Sequence, residues 1–271
     1  LRIGAVSYLN TKPLVYGLAN AINAFGQLSF AVPSRLSQQL LSGDIDVGLI
    51  PAIEYFRHPE CSVISDACIA CEGPVWSVQL LFRKPPSEVK TLAVDEGSRT
   101  SVALSQILLH ERVGVRPVLR PLPLDAELCD CAEDALLVIG DRAMHLNRLK
   151  EQYCERWDLG EVWRQHTGLP FVFAMWVARN AVADDPRLLQ LAKALETQRD
   201  QGLAHAEEIA QHYAAEYGLS SSQIVAYLTR FLQYQLGSRQ REALSLYRQK
   251  AEAIGLIDLK EPALRLSIAT T

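Results

Sequence analysis

The chain has 271 residues, of which 49% are hydrophobic and 21% are charged, and its formal net charge is −4. This composition excludes a disordered or fibrous protein, because it supplies enough apolar surface for one large domain or two modest ones. The weak acidity disfavours a nucleic-acid-binding protein, which usually carries a strongly basic surface. No apolar run approaches the roughly 20 residues that a membrane-spanning helix needs. We therefore expect a folded, soluble protein.

The first part of the chain alternates short apolar runs with amphipathic stretches, which is typical of an α/β sheet. Strands are predicted over residues 2–6, 46–50, 62–70 and 75–82. A helix is predicted after residues 7–11, with Pro13 in its first turn. A second helix opens at Ser34, places Leu36, Leu40 and Leu41 on one face, and ends at Gly43. A short helix follows Pro51.

A pair of prolines at residues 85 and 86 marks a break, because adjacent prolines interrupt both strand ladders and helices. Behind it, strands are predicted over residues 91–94, 115–119, 136–139 and 171–178. Helices are predicted over residues 98–112 and 157–166. From Asp185 onward the pattern is helical, with helices over residues 186–199, 203–217, 221–236 and 239–254.

This order of elements predicts two lobes with a ligand cleft between them. The expected first lobe comprises residues 1–84 and 174–271, and the second comprises residues 85–173. The chain would cross between the lobes near residues 83–86 and 168–173, and these crossings would act as a hinge. A single doubly wound α/β domain is the alternative.

Two polar segments follow predicted strands and precede predicted helices. One contains Ser98, Arg99, Thr100 and Ser101, and the other contains Ser7, Tyr8, Asn10 and Thr11. Free N–H groups and the helix dipole favour an anion such as a carboxylate at these positions. Ordinary helix capping, by Ser98 or Thr100 in the first segment and by Asn10 or Thr11 in the second, is the alternative.

Three further polar residues are candidates for a site. Ser77 lies in an apolar strand pattern, Asp141 follows a buried strand pattern, and Glu54 lies in the first turn of a short helix. The six cysteines include two closely spaced pairs in separate segments, which favours free thiols over a structural zinc site. The histidines show no metal-ligand spacing, and no phosphate-loop or Rossmann glycine pattern is present. We predict no metal and no cofactor.

Several blocks in order resemble one known family, the MqnA-type chorismate dehydratases of menaquinone biosynthesis. The blocks begin with Arg2-Ile3-Gly4-Ala5-Val6-Ser7-Tyr8-Leu9-Asn10-Thr11-Lys12-Pro13-Leu14 and Val47-Gly48-Leu49-Ile50-Pro51-Ala52-Ile53-Glu54-Tyr55. They continue through Gly73-Pro74-Val75-Trp76-Ser77-Val78, Ser98-Arg99-Thr100-Ser101, Ile139-Gly140-Asp141, Asp158-Leu159-Gly160-Glu161 and Thr167-Gly168-Leu169-Pro170-Phe171-Val172-Phe173-Ala174. The likeness spans residues 2–176, and the helical tail adds little to it.

The resemblance implies a two-lobed fold like that of type 2 periplasmic binding proteins. It also implies an enzyme that converts chorismate to 3-[(1-carboxyvinyl)oxy]benzoate and water, the first step of the futalosine route to menaquinone. Chorismate carries two carboxylates, which would suit the two helix-start segments. We expect Asn10 and Ser77 to assist the departing hydroxyl, and the substrate's enolpyruvyl carboxylate, Asp141 or Glu54 to accept the proton.

The expected substrate-binding residues are Ser7, Tyr8, Thr11, Ser98, Arg99, Thr100, Ser101 and Asp141. The expected location is the cytoplasm, with a small dicarboxylate as the partner and no nucleic acid or membrane.

Two alternatives stay open: a solute-binding protein of the same fold without chemistry, and the sibling lyase that forms dihydroxynaphthoate. The chain starts at Leu1 without a methionine, which leaves open a removed targeting segment.

Overall fold

The protein is represented by a computed structural model, which describes residues 1–123 and 125–258 without the side chains of residues 147–151. The end of the first predicted lobe, residues 259–271, lies outside the described residues. The described strands form two sheets of six and five strands. In chain order, the strands are β1 (Arg2–Val6), β2 (Gln27–Ala31), β3 (Val47–Pro51), β4 (Ser62–Cys71), β5 (Val78–Phe82), β6 (Thr91–Asp95), β7 (Val118–Leu122), β8 (Ala135–Ile139), β9 (Glu155–Asp158), β10 (Phe171–Ala178) and β11 (Gln233–Gln235).

Ten α-helices surround the sheets in the described part of the chain. They are α1 (Lys12–Val15), α2 (Leu18–Ile22), α3 (Pro33–Ser42), α4 (Ala52–Arg57), α5 (Arg99–Val113), α6 (Leu159–Thr167), α7 (Arg187–Ala204), α8 (Ala206–Tyr217), α9 (Ser221–Ala226) and α10 (Ser238–Ala253). Short 3₁₀ helices cover Leu9–Thr11, Pro86–Glu88, Leu128–Asp130, Gly140–Gln152 and Asn180–Val182, and a π-helix covers Tyr227–Phe231.

The first sheet has the order β11-β4-β10-β3-β1-β2, and the second has the order β7-β6-β8-β5-β9. Strand β1 runs parallel to β2 and β3, and β10 runs antiparallel to β3 and β4. In the second sheet, β6 runs parallel to β7 and β8, and β5 runs antiparallel to β8 and β9. The carboxyl ends of β1, β3 and β4 therefore lie on the same side of the first sheet, at the ends of its strands. The carboxyl ends of β6 and β8 lie beside the start of β5.

Helix α3 shows how the sequence specifies local structure. Leu36 and Leu40 are buried on its inner face, and Gly43 ends it with a φ of 80°, a left-handed conformation that favours glycine. Leu41, which was predicted on the same face, is 45% exposed. Leu41 follows Leu40 directly, so its side chain points about 100° away around the helix.

The predicted first crossing at residues 83–86 was wrong. Strand β5 belongs to the second sheet, so the chain leaves the first sheet between Cys71 and Val78. The predicted strand over residues 75–82 begins three residues late in the structure, because a tight turn occupies residues 75–77. The chain returns to the first sheet between Asp158 and Phe171, a segment that overlaps the predicted second crossing. The exact division into two lobes stays a prediction.

Candidate active site

A small cavity lies where the strand ends of the two sheets meet. Its volume is about 50 Å³. The first sheet and the segments that follow β1, β3 and β4 contribute part of the wall, and the starts of β5 and α5 contribute another part. The polar side chains in the wall are those of Tyr8, Asn10, Ser77, Ser98 and Ser101. The wall also includes apolar residues, among them Ile69, Val75, Ile139, Phe173 and Leu232.

The segment after β1 brings Tyr8 and Asn10 to the cavity. The Asn10 Oδ1 atom accepts a hydrogen bond of 3.1 Å from Thr11 Oγ1, and the Asn10 carbonyl accepts one of 2.9 Å from the Tyr234 hydroxyl. The Tyr8 ring packs against Gly140, which has a φ of 65°. A Cβ atom added to Gly140 would lie 3.4 Å from the Tyr8 ring. Burial raises the pKa of Tyr8, so its hydroxyl stays a hydrogen-bond donor.

Ser77 ends a tight turn at the start of the second sheet. Its backbone N–H donates to the Val75 carbonyl at 2.7 Å, and its own carbonyl accepts from the Gly140 N–H at 2.8 Å. Trp76, between them, has a φ of 63°. Such a conformation costs a non-glycine residue about 1–3 kcal/mol, so the surrounding contacts must stabilise it. The Ser77 side chain is 2% exposed, and its Oγ accepts a hydrogen bond of 2.8 Å from the Tyr227 hydroxyl.

The Asp158 carboxylate supplies those stabilising contacts. It accepts hydrogen bonds from the Val75 N–H at 2.9 Å and the Trp76 N–H at 2.7 Å. It also caps α6, accepting from the N–H groups of Gly160 and Glu161. Asp158 belongs to one of the sequence blocks that carry the family resemblance, but no role was predicted for it. An Asp followed three residues later by Glu161 before an apolar stretch resembles a capping box, a signal that could have identified it.

The predicted helix-start segment before α5 contributes two hydroxyls to the cavity. Ser98 is the N-cap of α5, and its Oγ accepts a 3.2 Å hydrogen bond from the Ser101 N–H. The Ser98 hydroxyl in turn donates to Ser101 Oγ at 2.9 Å. The capping interpretation is therefore confirmed for Ser98. Because Ser101 Oγ already accepts a hydrogen bond, its own hydrogen is available to a ligand in the cavity.

Arg99 and Thr100 do not line the cavity. The Arg99 guanidinium pairs with the buried Glu54 carboxylate at 2.7 Å, and Glu54 also pairs with Arg57 at 2.6 Å. The Thr100 Oγ1 atom accepts a 3.3 Å hydrogen bond from the Ile53 N–H, in the first turn of α4. Both side chains thus join α5 to α4 beside the cavity. Glu54, an expected alternative proton acceptor, lies outside the cavity wall as well.

The other predicted binding residues also lie beside the cavity. Ser7 is exposed, and Thr11 is buried beneath Asn10. The Asp141 carboxylate accepts a 3.3 Å hydrogen bond from the Leu9 N–H, so it joins the second sheet to the segment after β1. Burial raises the pKa of Asp141 to about 6.

The chemistry of the cavity is that of neutral hydrogen-bond donors. Among the described residues that line it, none carries a charged side chain. Hydroxyls, one amide and the N–H groups at the start of α5 can bind a carboxylate or donate to a departing oxygen. Among the described residues, no cluster of three or more His, Cys, Asp or Glu side chains could hold a metal ion.

A family model described as menaquinone biosynthesis matches residues 1–253. The chain belongs to this family. It is 32% identical over 269 residues to a chorismate dehydratase from Thermus thermophilus, covering 94% of this chain and 95% of that protein. It is 27% identical to a chorismate dehydratase from Campylobacter jejuni, covering 93% of this chain and 98% of that protein. The resemblance inferred from the ordered sequence blocks is thereby confirmed.

Solved structures establish the fold of this family member. A protein from Archaeoglobus fulgidus superposes with a TM-score of 0.74 at 16% identity, covering 94% of this chain and 98% of its own. The alkanesulfonate-binding protein SsuA from Xanthomonas axonopodis superposes with a TM-score of 0.68 at 15% identity, covering 98% of this chain and 96% of its own. A Candida albicans protein with the generic periplasmic-binding-protein fold gives a TM-score of 0.68 at 11% identity, covering 100% of this chain and 98% of its own. The predicted fold class is confirmed.

Within the part of the chain that the structure describes, no helix combines the length and apolar character needed to cross a bilayer.

Proposed function

We propose that the protein is a chorismate dehydratase, which converts chorismate to 3-[(1-carboxyvinyl)oxy]benzoate and water in the futalosine route to menaquinone. The observation that carries the proposal is the convergence of Asn10 and Ser77 on one cavity with the helix-start hydroxyls of Ser98 and Ser101. The two relatives that bear this name align with nearly the whole chain, which supports the same activity here.

The reaction needs donors and positioning more than a strong protein base. The C3–H bond breaks and its electron pair forms the new ring double bond, while the C4–O bond breaks and the hydroxyl leaves as water with a proton. Formation of an aromatic ring provides the driving force. A donor placed at the departing oxygen stabilises charge that develops in the transition state. We assign this role to the Asn10 amide and the Ser77 hydroxyl.

The remaining polar groups suit the binding of a carboxylate. Ser98 and Ser101 lie at the first turn of α5, whose 15 residues give it a full helix dipole. We assign a further donor role to the Tyr8 hydroxyl, because Tyr8 lines the cavity and its ring packs against Gly140. Thr11, Arg99, Thr100 and Asp141 are proposed to act indirectly, because their side chains contact the segments that form the cavity walls. Ser7 is exposed and remains a predicted binding residue.

The substrate's own enolpyruvyl carboxylate is the proposed proton acceptor. The absence of a carboxylate from the described cavity wall supports this choice over a protein base. Neither Asp141 nor Glu54 lines that wall: the Asp141 carboxylate accepts from the Leu9 N–H, and the Glu54 carboxylate pairs with Arg57 and Arg99. The reaction is proposed to occur in the cytoplasm.

Incubation of the purified protein with chorismate tests this function. We expect a product 18 mass units lighter than chorismate, because one water is lost, and mass spectrometry would detect it. Tight binding of another solute without turnover would instead indicate a binding protein of the same fold. Failure with chorismate combined with turnover of a cyclic futalosine derivative would indicate the sibling lyase.

A further inference from the structure

We propose that Tyr227 is a positioning residue that orients the Ser77 hydroxyl toward the cavity. The inference rests on the proposed function, because Ser77 is assigned there to the departing hydroxyl. Tyr227 comes from the helical tail, 150 positions after Ser77 in the chain. No sequence signal around it points to a role in the site.

The contact between the two hydroxyls is short and enclosed. The Tyr227 O–H donates to Ser77 Oγ at 2.8 Å, and the two residues are 1% and 2% exposed. The Ser77 hydroxyl itself donates to the Val75 carbonyl, at the longer distance of 3.4 Å. Because Tyr227 supplies a hydrogen to one side of the Ser77 oxygen and the outgoing hydrogen bond to Val75 is long, a stronger acceptor in the cavity can replace Val75 as the partner of the Ser77 hydrogen.

The direction of the hydrogen bond is set by the tyrosine. The Tyr227 O–H is the donor and Ser77 Oγ is the acceptor, in a contact that is closed to solvent. Burial raises the pKa of Tyr227, so the phenol keeps the proton that it donates.

The position of the Tyr227 ring is fixed by its surroundings. Tyr227 begins the π-helix that follows α9, and π-helical turns occur frequently at functional sites. Its ring meets the Trp76 ring edge to face, with 5.8 Å between the centroids. Trp76 is the strained residue just before Ser77, so the same tyrosine contacts both the turn and the hydroxyl that the turn presents.

The variant Tyr227→Phe tests the inference, because it keeps the ring and removes only the hydroxyl. We expect kcat for chorismate to fall about 10-fold to 100-fold while KM changes less than about 2-fold, since a misdirected donor acts mainly in the transition state. In a Ser77→Ala background, the same substitution should lower kcat less than about 2-fold, because Tyr227 acts through Ser77.

Tyr247→Phe is the matched control. Tyr247 is 1% exposed, its hydroxyl donates to the Thr100 carbonyl at 3.0 Å, and neither of these two residues lines the cavity. This variant loses a comparable buried hydrogen bond, and we expect it to keep the wild-type kcat. Thermal melts of both variants show whether their losses of stability are similar.

Turnover of chorismate by the wild type is measured first. This order distinguishes a failure of the proposed activity from a failure of the proposed role of Tyr227. An active wild type with a Tyr227→Phe variant that has an unchanged kcat would overturn only the role of Tyr227. An equal loss of kcat in the Ser77→Ala background, or in Tyr247→Phe, would overturn it as well, because the effect would then be structural. A wild type without turnover would overturn both proposals.

Discussion

The Asp158 carboxylate accepts a 2.7 Å hydrogen bond from the backbone N–H of Trp76, the one described non-glycine residue with a positive φ. The next residue in the chain is Ser77. The strained turn that presents this serine to the cavity is thus stabilised by a side chain at the far end of β9. Strain of this kind persists only where neighbouring contacts enforce it.

Replacing Asp158 by Ala should therefore affect both stability and activity. The change leaves the buried N–H groups of Val75 and Trp76 without acceptors and removes the cap of α6. We predict that the free energy of unfolding falls by about 2–4 kcal/mol. The kcat should fall by at least about 10-fold, because Ser77 loses its position.

Asp185→Ala is the control for this prediction. The Asp185 carboxylate accepts a 2.9 Å hydrogen bond from the Arg187 N–H at the start of α7, far from the cavity wall. Urea denaturation and steady-state kinetics of both variants make the comparison. A wild-type kcat in a folded Asp158→Ala variant would contradict the role of the turn.

Thr100 and Ser101 are neighbours with different expected roles. Thr100→Val removes the acceptor of the Ile53 N–H and should lower the free energy of unfolding by about 1–3 kcal/mol without changing substrate affinity. Ser101→Ala should weaken substrate binding by roughly 0.5–3 kcal/mol, because its hydroxyl hydrogen is available in the cavity. Calorimetric titration and thermal melts separate the two effects. Weaker substrate binding by Thr100→Val would show that our assignment of its hydroxyl is wrong.

The stability of the protein should depend on the ionisation of Asp141. The carboxyl has a pKa of about 6 in the folded protein, and burial is the main cause of the rise. In the unfolded chain the pKa is near 3.9. The folded state therefore binds more protons between about pH 4 and pH 6, so this group makes the protein less stable as the pH rises through that window. Lys12, His145 and the Leu9 N–H oppose the rise, and Glu216 adds to it.

Asp141→Asn should remove this dependence, since the amide oxygen can still accept from the Leu9 N–H. Relative to the wild type, the variant should gain about 1–3 kcal/mol of unfolding free energy between pH 4.5 and pH 7. Urea denaturation at the two pH values measures the difference. A constant difference between the two proteins at both pH values would contradict a raised pKa.

Edge strands explain most of the errors in the predicted elements. The sequence pattern predicts no strand at β2, β9 or β11, and each of these strands lies at an edge of its sheet. The burial of β2 alternates weakly, and β9 is rich in charge. The fourth edge strand, β7, was placed three residues too early, and it contains Pro121, which edge positions tolerate. Central strands such as β3 and β10 are continuous apolar runs, and the sequence identified them.

The candidate site was only partly predictable for a related reason. Asn10, Ser77 and Ser98 lie beside strand ends and helix starts, where local patterns carry information. Tyr227 reaches the site through tertiary packing across 150 positions of chain, which no local pattern encodes. Thr100 and Arg99 belong to the correct segment, but the helical rotation between neighbours turns them toward α4 instead of the cavity.

The size of the cavity leads to a prediction about motion. Its volume of about 50 Å³ is well below the 300–1,000 Å³ of typical ligand sites, so we expect the two sheets to move apart when a substrate enters. We predict a hinge at the crossings over residues 72–77 and 159–170. Small-angle scattering should give a smaller radius of gyration with saturating product than without ligand. An unchanged radius would argue against closure on the ligand.

The kcat of Asn10→Ala and of Ser77→Ala tests the central claim most directly. Both side chains are assigned to the departing hydroxyl, so each change should lower kcat and kcat/KM together by about 100-fold or more and leave the affinity for chorismate nearly unchanged. Steady-state kinetics with chorismate, beside calorimetric titration of each variant, measures these quantities. If both variants keep the wild-type kcat while they remain folded, the elimination does not depend on this wall of the cavity and the assignment is wrong.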